Sequence, residues 1–283
     1  MTALDLPSGG RLDLGERPLV MAIVNCTGDS FFPESRSHTS EEAVERALRA
    51  EAEGADMVDL GAESSRPGAF YISEGEELGR LIPVIRGFRK RSKLPVSVDT
   101  RRAGAARAAL DEGADMINDI SALEDDPAMG RLCGERKAPV VLMHKRGVPR
   151  TMQDDPRYKD PAGEVRAYLR EAIGRAGAAG IPKERVILDP GIGFGKGLGD
   201  NLAVLADLPG LSALGCPVLV GLSRKTFIGE LTGRDAGGRL AGTIAANAVS
   251  LLLGAAVLRV HDVREGVDTV KIVRALMEAR KEG

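Results

Sequence analysis

PVSVDT at residues 95–100, TRRAGAARAALDEGAD at 100–115 and MINDIS at 116–121 read as a strand, a helix and a second strand. The outer runs are short and apolar, and the Ala-rich stretch between them has the length of a helix. Two strands joined by a helical crossover lie parallel. Each strand also ends on polar residues: Asp99 on the first, Asn118 and Asp119 on the second.

The same unit recurs on both sides. Upstream stand VMAIVN, ending on Asn25, and ADMVDLGAESSRPG, carrying Glu63 and Arg66. Downstream come PVVLMHK with His144, VILDPGIGFGK with Asp189, PVLVGLSRK with Ser223 and Lys225, and AAVLRVHD with Arg259 and His261. That makes eight strand-like runs, each delivering polar groups at its C-terminal end. Helices are expected over 40–54, 74–92, 100–115, 125–137, 161–181, 201–208, 238–255 and 264–283, with Pro83 bending or dividing the second. Eight alternating units favour a closed (β/α)8 TIM barrel over an open doubly wound sheet, and such a barrel collects its chemistry where its strands end. Residues 1–17, with Ser-Gly-Gly at a turn, read as a short N-terminal hairpin closing the barrel bottom. Residues 1–283 then form a single domain. Long loops fall at 27–39, 62–73 and 144–160, where a barrel of this kind places its lids.

A length of 283 residues suits such a barrel, for which ~250 is typical. Trp is absent and aromatics are 3%, so the core is built from Ala, Val, Leu and Ile. The net charge of -2 gives no global attraction for nucleic acid. Cys26, Cys133 and Cys216 are scattered, with neither a disulfide framework nor a zinc spacing, which fits a reducing cytoplasm. No apolar run approaches the ~18 residues of a membrane span, and the polar N-terminus is not a signal peptide.

DPGIGFGKGLGDN (189–201) invites a phosphate-loop reading, but Gly191 to Lys196 is one residue short of that motif and Gly197 stands where Ser or Thr belongs. What remains is a carboxylate at a strand end. Asp189 can accept two hydrogen bonds from an amidine-like edge, or can cap the next helix. Asp99 and Asn118 carry the same two readings; with Asp189 they would make a polar floor for a flat heterocycle. Asp119 alternates to the other face and is read as structural. Lys225 can donate to a carbonyl or ring nitrogen, and Ser223 can help hold a carboxylate. Arg259 and His261, two apart, face one side and suit a phosphate clamp. His144 has no such partner; it is catalytic or a supporting residue. The Asn25 carbonyl is a hard oxygen that could complete a Mg2+ shell made otherwise of water and diphosphate.

Together these residues resemble the dihydropteroate synthases of the pterin-binding barrel family. The likeness runs from about residue 18 to the C-terminus. It rests on NxTxDSF at 25–31, GxESxRPG at 61–68, DT at 99–100, ND at 118–119, MHxxGxPxTMQ at 143–153, DPGxGFGK at 189–196, GxSRK at 221–225 and RVHDV at 259–263. The resemblance implies a transferase in which para-aminobenzoate displaces diphosphate from 6-hydroxymethyl-7,8-dihydropterin diphosphate, in folate synthesis. It implies pterin contacts from Asp99, Asn118, Met143, Asp189, Phe194, Gly221 and Lys225. Para-aminobenzoate would meet Ser65, Arg66, Pro67 and Ser223, with Phe31 and Lys225 nearby. Diphosphate would meet Asn25, Arg66, Arg259 and His261, with magnesium at Asn25; Asp99, Lys225, Arg259 and His261 would carry the catalysis. It further implies a homodimer through the C-terminal helices. The sequence departs from the family pattern in the loops: Gly28 stands for a proline, Phe32 for a serine and Ser65 for a threonine. Two other readings compete, a pterin-barrel methyltransferase and a non-catalytic pterin-binding paralogue. Neither requires the anion-binding groups Arg66, Lys225, Arg259 and His261 together.

Overall fold

The structure is a computed structural model that describes residues 3–26, 40–64, 68–148 and 150–282. It opens with an antiparallel pair, β1 (Ala3–Asp5) and β2 (Arg11–Asp13), joined by a turn in which Gly9 takes a φ of 87°. Then follow β3 (Leu19–Asn25), α1 (Ser40–Ala52), β4 (Met57–Gly61), α2 (Glu74–Arg89), β5 (Val96–Asp99) and α3 (Ala103–Asp111). The chain continues through β6 (Met116–Asp119), α4 (Pro127–Arg136), β7 (Val140–Met143), α5 (Pro161–Ala178) and β8 (Val186–Asp189). It ends with α6 (Leu198–Ala206), α7 (Leu208–Ser212), β9 (Leu219–Val220), α8 (Thr226–Thr232), α9 (Leu240–Leu252), β10 (Val257–Val260) and α10 (Val263–Glu282).

The eight strands β3 to β10 form one parallel sheet in the order β8-β7-β6-β5-β4-β3-β10-β9. A bridge between Leu188 and Val218, with Leu188 N donating to Pro217 O at 2.9 Å, joins the two ends into a barrel. The eight-stranded barrel read from the sequence is therefore the fold.

Alternation along the strands divides the core in two. Val20, Val58, Val98, Ile117, Leu142, Leu188 and Leu258 face outward and pack with the helices. Met21, Met57, Met116, Val141, Ile187, Leu219 and Val257 face the barrel interior. Those inner residues share one cluster with Leu4, Leu6, Leu12 and Leu14, so the N-terminal hairpin closes the barrel bottom. Further along the same inner faces lie Asn25, Asp99, Asn118, Asp189 and Arg259. A fixed period of two thus places apolar side chains below and polar ones above.

Several helices differ from their expected extents. α2 runs unbroken through Pro83, because Pro83 and Gly79 are both on the exposed side and water can satisfy the freed carbonyl. It ends at Arg89, not residue 92. α3 starts at Ala103, whose N–H is taken by Asp126 Oδ2 at 2.7 Å. The segment expected at 201–208 is two helices, α6 and α7, the second starting with Pro209 in its first turn. The seven-residue α8 was not anticipated.

Candidate active site

The upper barrel opens into a cavity of about 570 Å³ lined by Asn25, Gly61, Glu63, Asp99, Phe194, Lys196, Gly221, Ser223, Lys225, Arg259 and His261. Asn118, Asp189 and Met143 are buried at the neighbouring ends of β6, β8 and β7 and are not among its lining residues. Ser65, Arg66 and Pro67, and Phe31, lie outside the described residues.

The helix-capping readings of Asp99, Asn118 and Asp189 do not hold. α4 is capped by Asp126, which accepts from Ala128 N at 2.9 Å. Asp99 faces Arg259 instead, whose Nη2 donates to Asp99 Oδ2 at 2.9 Å. Burial and the neighbouring acid groups push the Asp99 carboxyl up to about 8, against the pull of Arg259. Asp189 accepts from Gly191 N at 2.7 Å, a turn within its own loop, far ahead of α6. Burial raises its carboxyl too, opposed first by Lys225. Asp119 turns to the opposite face, where it accepts from Ser121 N, Ser121 Oγ and Leu123 N, a purely structural role as expected.

Lys225 donates to Ile192 O and lies 4.8 Å from the centre of the Phe194 ring. Burial lowers its ammonium to about 8, with Asp189 opposing. Ser223 Oγ accepts from His261 N at 3.2 Å and lies 3.2 Å from His261 Nδ1. Burial, and next Arg259, lower the His261 imidazole to about 4, so it is neutral at pH 7. Arg224, between Ser223 and Lys225, is turned away: its φ is 54°, and its guanidinium is held by Asp262 at 2.9 and 3.0 Å.

Two contributors, Asp59 and Lys196, escaped the sequence reading, and a third, Glu63, was singled out without its partners. Asp59, fully buried in β4, accepts from Arg259 Nε at 2.7 Å and Asn118 Nδ2 at 2.9 Å. Its signal was a charged residue inside a buried run, on the same face as Met57 and Gly61. Lys196 is 2% exposed; its Nζ meets Gly191 O at 2.8 Å, Phe194 O at 3.2 Å and His144 Nδ1 at 2.9 Å. It thereby fastens the loop carrying Phe194 to the end of β7. Burial, then the Lys196 charge, lower His144 to about 3, so His144 supports this loop as a neutral acceptor. Glu63 accepts from Ile72 N at 2.9 Å, Arg102 Nη2 at 2.9 Å and Arg101 Nε at 3.1 Å, closing the base of the second loop.

Chemically the cavity offers buried acceptors, a flat apolar side at Phe194, and a concentration of cationic donors at Lys225 and Arg259. It suits a planar heterocycle with several N–H groups that carries an anionic substituent.

A profile of the pterin binding enzyme family matches residues 21–261. Dihydropteroate synthase of Escherichia coli strain K12 is 41% identical over 273 residues, spanning 96% of each chain. The structure of Xanthomonas albilineans dihydropteroate synthase with 4-aminobenzoic acid matches with a TM-score of 0.90 at 46% identity, covering 98% of this chain and 99% of that one. The same enzyme in complex with 7,8-dihydropteroate matches with a TM-score of 0.86 at 43% identity, over 98% and 99% of the two chains. This chain belongs to the pterin binding enzyme family and, within it, to the dihydropteroate synthases, which are transferases.

Proposed function

We propose that the cavity joins 6-hydroxymethyl-7,8-dihydropterin diphosphate to para-aminobenzoate and releases diphosphate, giving dihydropteroate for folate synthesis. The observation that carries this reading is the pairing of the basic groups Lys225 and Arg259 with Asp99, which lines the same cavity, and with Asp189, buried beside it. Asp189 accepts from the N–H groups of the pterin and Lys225 donates to its oxygen or ring nitrogen. Asn118, Asp99, Met143, Phe194 and Gly221 complete that pocket. Arg259 and His261, with Arg66 and Asn25, take the diphosphate. Ser223, Ser65 and Pro67, with Arg66, take para-aminobenzoate.

In the reaction the methylene C–O bond breaks with its electron pair leaving on diphosphate, and the electron-rich dihydropterin stabilises the cation. Arg259 offsets the charge developing on the leaving oxygen. The N–H groups of the cationic ring donate to Asp99 and Asp189, and its positive charge draws both buried carboxyls toward the ionised form. The arylamine nitrogen then forms the C–N bond and loses a proton to water, so no strong general base is required. Among the described residues no group of three His, Cys, Asp or Glu side chains could hold a metal. Asn25 supplies a single neutral oxygen, which fits a magnesium ion bound mainly by diphosphate and water. Such an ion, held by the Asn25 carbonyl, would supply further charge neutralisation.

Two copies pair through α9 and α10, where Val249, Leu252, Ile272, Leu276 and Met277 are exposed. The partners are small molecules; no helix among the described residues is long and apolar enough to cross a membrane, and no nucleic acid is involved. The free cysteines suit the cytoplasm.

The test is mass spectrometry of the product formed from both substrates and magnesium, with deuterium on the reacting methylene. Dihydropteroate, formed with a normal secondary isotope effect, supports the dissociative route. Dihydropteroate with no isotope effect contradicts the route, and no dihydropteroate contradicts the reading.

A further inference from the structure

Asp59 touches two groups that the proposed reaction assigns to different ligands. Its Oδ2 accepts from Asn118 Nδ2 at 2.9 Å and from Arg259 Nε at 2.7 Å. The two donors come from β6 and β10, each two strands from β4, in opposite directions round the barrel. Asp59 itself has no exposed surface.

A carboxylate held by a guanidinium accepts hydrogen bonds and does not donate them. Asn118 must therefore turn its NH2 toward Asp59 and its carbonyl away. That carbonyl oxygen is buried and has no hydrogen-bond partner among the described residues. A buried acceptor left unmade is costly, and its persistence is explained if a ligand N–H completes it. Arg259 is constrained in the same way. Its Nε and Nη2 are taken by Asp59 and Asp99. Its other edge, Nη1 with the second hydrogen of Nη2, makes no hydrogen bond to a described residue, and it is the edge that can receive two phosphate oxygens.

We propose that Asp59 is a positioning residue that sets the donor and acceptor polarity of two subsites at once, presenting Asn118 as an acceptor to the pterin and Arg259 by its free edge to the diphosphate. The proposal rests on the ligand placement given above. Asp59 then also acts on specificity: a ring whose edge offers Asn118 a lone pair in place of an N–H is rejected.

The experiment is titration calorimetry of 6-hydroxymethylpterin and, separately, of pyrophosphate with magnesium. The variants are Asp59→Ala, Asp59→Asn, Asn118→Ala, Asp59→Ala with Asn118→Ala, and Ser97→Ala. Ser97 is the register partner of Asp59 on β5 and controls for loss of a buried polar group. Asp59→Ala is expected to weaken both ligands by about tenfold or more. On the Asn118→Ala background it weakens pyrophosphate still but costs the pterin nothing further, because it acts on the pterin through Asn118. Ser97→Ala leaves both affinities near wild type.

Asp59→Asn keeps an acceptor for both donors, so pterin affinity stays within about threefold of wild type. Pyrophosphate binds more tightly, since a negative charge beside Arg259 has gone. That variant carries the test should the alanine fail to fold. Unchanged affinities in Asp59→Ala, an undiminished pterin loss on the Asn118→Ala background, or no gain for pyrophosphate in Asp59→Asn would each overturn the proposal. Wild-type protein that binds neither ligand would overturn the underlying placement as well, a result distinct from a wild type that binds both and variants that behave alike.

Discussion

Arg259 links the chemistry of the site to its stability. Its guanidinium lies between Asp59, fully buried, and Asp99, with contacts of 2.7 and 2.9 Å. Arg259→Met would leave two carboxylates without their cation, and breaking such a pair costs about 3–5 kcal/mol. The expected result is a lower urea midpoint together with loss of pyrophosphate binding; a midpoint at the wild-type value would contradict the arrangement. The histidines give a pH prediction. An unfolded histidine takes up a proton near pH 6.5, whereas burial and neighbouring cations lower His144 to about 3 and His261 to about 4. Between those limits the two histidines bind more protons in the unfolded chain than in the folded one, so their contribution to stability falls as pH drops from 6.5 toward 4, while the raised Asp99 carboxyl acts in the opposite sense. The slope is up to about 1.4 kcal/mol per pH unit for each histidine. Urea midpoints at pH 7 and pH 5, compared between wild type and His144→Gln, check this: the variant should lose less stability than the wild type on going to pH 5, and an identical pH dependence in the two proteins would refute it. Asp99, Asn118, Asp189 and Arg259 were legible because each ends an apolar run in a phase that alternation fixes. Asp59 was not, since attention to strand ends passes over a charge within the strand. Lys196 was considered only against a phosphate-loop spacing, and its contact with His144 joins residues 52 apart.

The loop from β8 to α6 is the element on which the pterin pocket depends most. Gly191 and Gly195 have φ of 65° and 64°, and a Cβ added to them would stand 1.8 Å from His144 O and 2.2 Å from Arg146 O. The chain can pass this close to the β7 loop only as glycine. Gly191→Ala costs about 1–2 kcal/mol for the left-handed backbone alone, and the collision with a carbonyl adds to it. Calorimetry should record a lowered Tm and a pterin titration should record lost affinity; intact binding would mean that the loop does not set the pocket. Gln153 Nε2 on Gly193 O at 2.6 Å and Tyr158 OH on Gly195 O at 2.9 Å hold the same loop from the β7 side. None of these contacts is readable from local sequence, because each joins two loops that only the barrel brings together. Helix starts were legible for α1 at Ser40, α2 at Glu74 and α5 at Pro161, and the structure shows α2 and α5 capped by Ser73 and Asp160. α8 was missed because its seven residues are too few to display a helical period.

The barrel bottom and the outer helices govern the behaviour of the protein as a body. Leu4 and Leu12 of the hairpin pack into the inner cluster beside Met21 and Met116. Leu4→Ala is expected to cost about 2–5 kcal/mol, as for other buried leucines, while leaving substrate affinity unchanged at the far end of the barrel. A denaturant series read beside a pterin titration checks both halves of that statement. The apolar face of α9 and α10 predicts a dimer in sedimentation velocity that Ile272→Glu with Leu276→Glu converts to a monomer; a monomeric wild type would contradict it. The barrel was legible throughout, since eight strand–helix units in one chain leave few other topologies. Its closure was less so, because β9 is only Leu219–Val220 and the seam at Leu188 and Val218 is a single bridge.

The most direct measurement is diphosphate release by the purified protein with magnesium and dihydropterin diphosphate, with and without para-aminobenzoate. Release should depend on para-aminobenzoate and match the dihydropteroate formed, mole for mole. Pterin binding without any such release would contradict it.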